Sequence, residues 1–158
     1  FDLADEVEAL FDFYGALAEE NGVTLRLEGS GQVTGDRLML RRAIGNLLSN
    51  ALRYTPSGGR IVVTVSVVRD STDTETVHLA VENTGDPIPP EHLSRLFDRF
   101  YRVDASRRHS GDGAGLGLAI TRSILRSHGG DIEGRTGKGC NIFEMWIPTS
   151  IVTPRSAD

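Results

Sequence analysis

Two asparagines four residues apart and an arginine three residues further on, Asn46, Asn50 and Arg53, are the side chains whose types and spacing first suggest chemistry. At about 100° per residue they fall within about 60° of one another on a helix, whereas Ile44, Leu47, Leu48 and Ala51 form an apolar stripe on the other side. One edge of the stretch Asn46–Thr55 (NLLSNALRYT) therefore belongs to a core. The other sets two neutral amides beside a guanidinium. A magnesium-bound polyphosphate asks for that combination: the ion takes a few hard protein oxygens and completes its octahedron with phosphates and water. Arg53 would then meet phosphate charge directly. A solvated helix face has the same spacing.

Three glycine-bearing segments follow. Val81-Glu82-Asn83-Thr84-Gly85 ends a predicted strand, where a bare backbone lets a flat ligand approach and Asn83 offers both acceptor and donors to the amino and ring-nitrogen edge of adenine. An ordinary turn reads the same way. Gly111-Asp112-Gly113-Ala114-Gly115-Leu116-Gly117-Leu118 sets four glycines at alternate positions just before a helix, so successive amides and the helix start make an anion cradle. It is neither a P-loop, since no Gly-Lys-Ser/Thr follows, nor a dinucleotide fingerprint. A flexible hinge is the competing reading, and a lid over a nucleotide needs one. Gly137-Lys138-Gly139-Cys140, taken alone, is a tight structural turn. Arg99, Arg102, Arg107 and Arg108 lie in the segment Asp98–Gly113, which has little periodic pattern and reads as a basic lid. Phe97, Phe100 and Tyr101 interleave with them, either anchoring the lid on the core or docking against a partner.

Elements must hold these groups in place. Leu3, Val7, Leu10, Phe11, Tyr14 and Leu17 recur at helical spacing between Asp2 and Glu20, and Asn21-Gly22 stops that helix. Val23–Leu27 alternates as a short strand, and a second extended piece is expected around Val33. Asp36 caps the helix that carries Asn46 and Asn50, and Pro56–Gly59 ends it. Arg60–Arg69 and the stretch through Val77, Leu79 and Val81 read as strands joined by the polar loop Asp70–Glu75. A short helix is expected over Glu91–Phe97 and a longer one over Leu116–His128. Asp131–Arg135 and Asn141–Ile147 would close the chain as strands, with a frayed tail after Pro148. Helices gather early and do not alternate strictly with strands, so one helical layer on a mixed or antiparallel sheet is expected, an α/β two-layer sandwich.

The 158 residues, 39% hydrophobic and 25% charged, suit one domain with a sizeable core, taken as 1–150 with a tail at 151–158. A formal net charge of −5 argues against a general nucleic-acid surface. Cys140 is the single cysteine, which excludes an internal disulfide framework and fits a reducing, cytoplasmic setting. No apolar run approaches the roughly 18 residues of a membrane span. The start at Phe1 rather than Met reads as a fragment cut from a longer protein.

Together, NLLSNALRYT, VENTGDPIP, RLFDRFYR, GDGAGLGLAI and GKGCNIF resemble, in order and spacing, the N, G1, F, G2 and G3 boxes of the ATP-binding catalytic domain of bacterial sensor histidine kinases. The resemblance runs from Leu38 to Pro148. It implies the sandwich shared with the heat-shock-90, gyrase-B and MutL ATPases, with ATP and Mg²⁺ as cofactors. It puts Mg²⁺ on Asn46 and Asn50, phosphate on Arg53 and Arg102, and Tyr54 in the nucleotide pocket. Catalytic roles fall to Asn50, Arg53 and Arg102. Asn83, Gly85, Ile88, Arg99, Gly113, Ala114, Gly115, Leu116, Gly117 and Leu118 complete the implied nucleotide set. Asn83 stands where the family usually has an adenine-reading Asp, and Pro87 where it usually has a glycine.

An Asn still accepts from the adenine amino group through Oδ1 but lacks the strength of a charge-assisted bond. The variant V-E-N-x-G-x-P-I followed by L-F-D-R-F-Y-R is similar to heavy-metal sensor kinases that respond to copper or silver. None of His78, His92, His109 and His128 has the acidic neighbour and downstream proline of the family's phosphorylated histidine. The accepting histidine is therefore expected on a dimerisation domain of a parent kinase, itself anchored in the inner membrane, with a response regulator downstream. A non-catalytic nucleotide-binding switch of the same superfamily is the alternative.

Overall fold

A computed structural model describes residues 1–98 and 117–149. Helix α1, Leu3–Glu20, begins where the Asp2 carboxylate accepts from the Ala4 amide at 2.8 Å. The chain turns through Gly22, at φ +68°, into β1, Thr24–Gly29. Helix α2, Arg37–Tyr54, is capped by Asp36, whose Oδ1 accepts from the Met39 amide at 3.1 Å. It stops at Thr55, whose extended backbone is what a residue before proline prefers. Strands β2, Arg60–Arg69, and β3, Glu75–Thr84, form a hairpin. Helix α3, Pro90–Leu93, follows, then α4, Gly117–Ser127, and the hairpin of β4, Asp131–Gly137, and β5, Cys140–Pro148.

The five strands run in the order β1-β2-β3-β5-β4. β1 pairs parallel to β2 because α2 is the crossover between them, and the remaining pairs are antiparallel. The mixed sheet with helices on one face is the expected two-layer sandwich. Its inner face, Ile61, Val63, Val65, Val77, Leu79, Val81, Met145 and Ile147, packs on Leu40, Ile44, Leu47 and Leu48 of α2, Leu125 of α4 and Leu3 and Val7 of α1. No helix packs on the outer face among the described residues; it carries Val62, His78, Ala80, Glu144 and Trp146, all half-buried. There His78 stacks on Trp146 with ring centroids 6.2 Å apart.

Several boundaries differ from expectation. The helix expected over Glu91–Phe97 is helical only at Pro90–Leu93, and the chain then turns so that Leu96 is buried and Phe97 meets the Phe143 ring edge-on at 6.1 Å. The extended piece around Val33 is a single bridge, Gln32 to Asp2, and not a strand. β4 and β5 run to a two-residue turn at Lys138-Gly139, where Gly139 takes φ +74°. The lid and the tail after Thr149 lie outside the described residues.

Two polar ties hold the helical layer. His128 donates from Nδ1 to the Ile124 carbonyl at 2.8 Å and accepts at Nε2 from the Asp36 amide at 3.0 Å, joining the end of α4 to the start of α2. Glu6, with 0% exposure, receives the Nε–H groups of Arg37 and Arg41, so α1 is clamped on α2. Burial pushes the Glu6 carboxyl up, but its bonds to the two guanidinium groups outweigh that and hold it below the ordinary carboxylate range. A lowered folded value means stability that is fully present above the ordinary glutamate range and lost as pH falls from that range through the lower folded value. We expect Glu6→Gln to cost about 1–3 kcal/mol at neutral pH, since the two arginine heads can return to water while the amide stays buried. In denaturant titrations the gap between variant and wild type should close as pH drops below about 4.

Candidate nucleotide-binding site

Burial of Ile44, Leu47, Leu48 and Ala51 fixes the rotation of α2, and Asn46, Asn50 and Arg53 are consequently half-buried at its other edge. Asn46 meets the first turn of α4. Its Nδ2 donates to the Gly117 carbonyl at 3.1 Å and to Thr121 Oγ1 at 3.3 Å, and its Oδ1 accepts nothing among the described residues. The Asn50 amide makes no hydrogen bond among them either. Two neutral, partly desolvated amides with oxygens to spare are a donor set that fits a hard divalent cation shared with phosphate. Among the described residues no group of three or more His, Cys, Asp or Glu is arranged to hold a metal. Such an ion would be held by amide oxygens and its own ligands.

The other end of α2 meets the end of β3. A Cβ on Gly85 would lie 3.3 Å from the Tyr54 carbonyl oxygen, so this glycine lets the β3 loop approach the last turn of α2. Tyr54 is 40% exposed, and the Arg53 guanidinium lies 5.9 Å from its ring centroid. Asn83, 3% exposed, points to the inner face, with Nδ2 donating to the Thr84 carbonyl at 3.2 Å. That bond narrows the sequence reading: one amide hydrogen is occupied, and Oδ1 is the atom left to accept. From Asn46 to Tyr54 the helix advances about 12 Å. This edge of α2 thus has one end near α4, with Gly117 and the half-buried Leu118, and one end near β3, with Asn83, Gly85 and Ile88. Arg99, Arg102, Gly113, Ala114, Gly115 and Leu116 lie outside the described residues.

Three residues that the sequence reading passed over belong to this architecture. Asn141, 4% exposed, pairs with Asn83 across β3 and β5. Its Nδ2 donates to the Asp86 carbonyl at 2.9 Å, and its Oδ1 accepts from the Thr136 hydroxyl at 2.8 Å. Thr136 Oγ1 in turn accepts from the Ile88 amide at 3.2 Å, and the Gly85 amide donates to the Gly139 carbonyl at 3.0 Å. The loop after β3 is therefore stitched at three points to the β4–β5 hairpin, which gives the Gly137–Cys140 turn a part in the site. The third residue, Thr121, is 0% exposed. The available signal was phase: Asn141 alternates with Phe143, Met145 and Ile147, and Thr121 keeps helical step with Ile124 and Leu125.

Two other features stand apart. A depression between β1 and β2, lined by Thr24, Arg26, Arg60 and Glu82 among others, opens on the outer face, across the sheet from Asn83. Cys140 also faces outward. The Glu82 carboxylate beside it, with burial, pushes its thiol up, so it stays protonated and is a poor nucleophile or metal ligand.

The model of the histidine kinase-, DNA gyrase B- and HSP90-like ATPase family matches residues 35–151. Sensor histidine kinase CusS of Escherichia coli (strain K12) is 59% identical over 147 residues, which is 92% of this chain and 30% of that protein. The chain thus spans under a third of that relative's length. The nucleotide-free catalytic domain of histidine kinase ThkA superposes with a TM-score of 0.81 at 25% identity, covering 95% of this chain and 94% of that one. ThkA in complex with response regulator protein TrrA superposes at 0.76 and 24% identity, covering 94% of this chain and 41% of that one. A family model spanning most of the sequence and a fold shared along nearly its whole length agree, and the chain belongs to the histidine kinase-, DNA gyrase B- and HSP90-like ATPase family.

Proposed function

We propose that the chain binds Mg·ATP in the recess along α2 and is the catalytic part of a sensor histidine kinase. The γ-phosphoryl group would pass to a histidine on a dimerisation domain of the parent, and from there to an aspartate of a response regulator. The observation that carries this reading is the meeting of two distant segments along one side of α2, with Gly117 against Asn46 and Gly85 against Tyr54. Their likeness to the catalytic part of a sensor histidine kinase, and the complex that ThkA forms with its response regulator, support the partners named.

In this reading the β3 end takes the base. Asn83 Oδ1 accepts from the adenine amino group, Tyr54 and Ile88 line the pocket, and Gly85 admits the ring. The α4 end takes the phosphates. Asn46 and Asn50 offer neutral oxygens to Mg²⁺, Arg53 and Arg102 neutralise phosphate charge, and the amides of Gly113–Gly117 cradle it. Leu118 flanks that end, and Arg99, Ala114 and Leu116 are assigned to the nucleotide by the motif resemblance alone. Mg²⁺ held by Asn46 and Asn50 would supply positive charge that offsets phosphate charge during transfer. During transfer the bond from γ-phosphorus to the β–γ bridging oxygen breaks, a bond to the accepting histidine nitrogen forms, and ADP leaves. The chain's own part is orientation and charge neutralisation, and any base that assists the histidine would sit beside it on the other domain. The parent is read as an inner-membrane kinase with this part in the cytoplasm, and the motif variant V-E-N-x-G-x-P-I supports a heavy-metal stimulus.

Mg·ATP at about 100 times its Kd should stabilise the folded chain by about 2.7 kcal/mol, visible as a raised melting temperature. Asn50→Ala should weaken binding about tenfold or more in magnesium and much less in chelator; a wild-type melting temperature that nucleotide leaves unmoved would sink the reading. Joined to a histidine-bearing dimerisation domain, the chain should transfer labelled γ-phosphate to that histidine. Binding without transfer would instead favour the nucleotide-switch reading. Asn141→Ala should cost about 1–3 kcal/mol in denaturant titration, because buried partners lose their bonds, and should also weaken nucleotide binding by releasing the Asp86–Ile88 loop.

A further inference from the structure

We infer that Thr121 is a positioning residue for the metal end of the site: with the Gly117 carbonyl it holds the Asn46 amide in the one orientation that turns Oδ1 toward the cleft. This rests on the reading of Asn46 as a magnesium ligand. The geometry is a triangle. Thr121 Oγ1 donates to the Gly117 carbonyl at 2.9 Å, and Asn46 Nδ2 donates to that same carbonyl at 3.1 Å and to Thr121 Oγ1 at 3.3 Å. A carbonyl oxygen only accepts. The Thr121 hydroxyl has committed its proton to Gly117, so toward Asn46 it too presents a lone pair. Two acceptors facing one primary amide select its NH₂ group; the flipped amide would set its oxygen against the Gly117 carbonyl oxygen, and could accept from Thr121 only if that hydroxyl gave up its own bond to Gly117.

Solvent does not reach Thr121, which is 0% exposed, so the half-buried Asn46 amide meets the hydroxyl from the protein side. The orientation matters because the two ends of an asparagine amide are opposite in kind. The oxygen ligates a hard cation; the nitrogen, carrying two hydrogens, repels it. An Asn46 free to flip would spend part of its time offering the wrong atom, and apparent metal affinity falls by the fraction of competent conformer. Thr121 touches neither metal nor nucleotide in this scheme. It acts through Asn46.

Thr121→Val keeps the buried shape and removes the hydroxyl, whereas Thr121→Ser keeps the hydroxyl. With nucleotide held constant, we expect Thr121→Val to need about three- to tenfold more Mg²⁺ for half-saturation, with binding in chelator unchanged, and Thr121→Ser to stay within about twofold of wild type. Equal Mg²⁺ requirements in wild type and Thr121→Val overturn the inference while leaving the proposed function standing. So does parallel weakening with and without metal, which would mark Thr121 as merely structural. Absence of magnesium-dependent nucleotide binding in wild type overturns both, and shows before any variant is made. A measurement without variants keeps the idea open to refutation if Thr121→Val does not fold. In the metal-free wild-type chain the side-chain amide hydrogens of Asn46 should exchange with solvent far more slowly than those of exposed Asn21, and equal exchange rates overturn the inference.

Discussion

The burial of one stripe on α2 is the constraint from which the rest of the molecule follows. Leu40, Ile44, Leu47, Leu48 and Ala51 admit a single rotation of the helix on the sheet, and that rotation delivers Asn46, Asn50 and Arg53 to the edge facing α4 and the β3 loop. Turning the helix by one residue would expose isoleucine and leucine and bury an arginine without its partners. The polar groups of the site are thus aimed by the hydrophobic effect acting on their neighbours. Parallel pairing of β1 and β2 follows from the same element, because α2 is the crossover that forces it.

The polar framework is built of residues that sit in core phase but carry hydrogen-bonding groups. Asn83 and Asn141 face each other across β3 and β5 on the inner side of the sheet, and Thr121 occupies the inner side of α4. Burial makes their bonds obligatory, since each unpaired amide or hydroxyl there would cost about 1–3 kcal/mol. Obligatory bonds define orientation. The Asn83 and Asn46 amides each commit Nδ2 to a backbone carbonyl and leave Oδ1 over, near opposite ends of the same stretch of α2.

Much of this was legible in the residue pattern, and the exceptions have physical causes. β2 matches its expected limits because a run of β-branched residues bounded by arginines leaves little choice, and Asp36 caps α2 because a carboxylate just before an amphipathic run has few other uses. The expected helix through Phe97 fell short because tertiary packing took over: Leu96 and Phe97 gain more by turning onto the core and the Phe143 ring than by one further helical turn. Pairing of Asn50, Arg53 and Asn46 on one edge was readable from spacing alone. The Asn141–Thr136–Ile88 relay was not, because its members are brought together by hairpin register and by a loop with no periodicity. Polar residues in core phase were the trace of it, and they read equally well as ordinary buried hydrogen-bonders.

Helix α4 has the mechanics of a beam fastened at both ends. At its head Gly117 and Thr121 are bolted to Asn46; at its foot Arg122 and Arg126 grip Asp131, and His128 latches onto the cap of α2. A beam so mounted does not pivot. Gly117 therefore cannot shift without disturbing the aim of that asparagine, because its carbonyl is where the Asn46 amide is anchored.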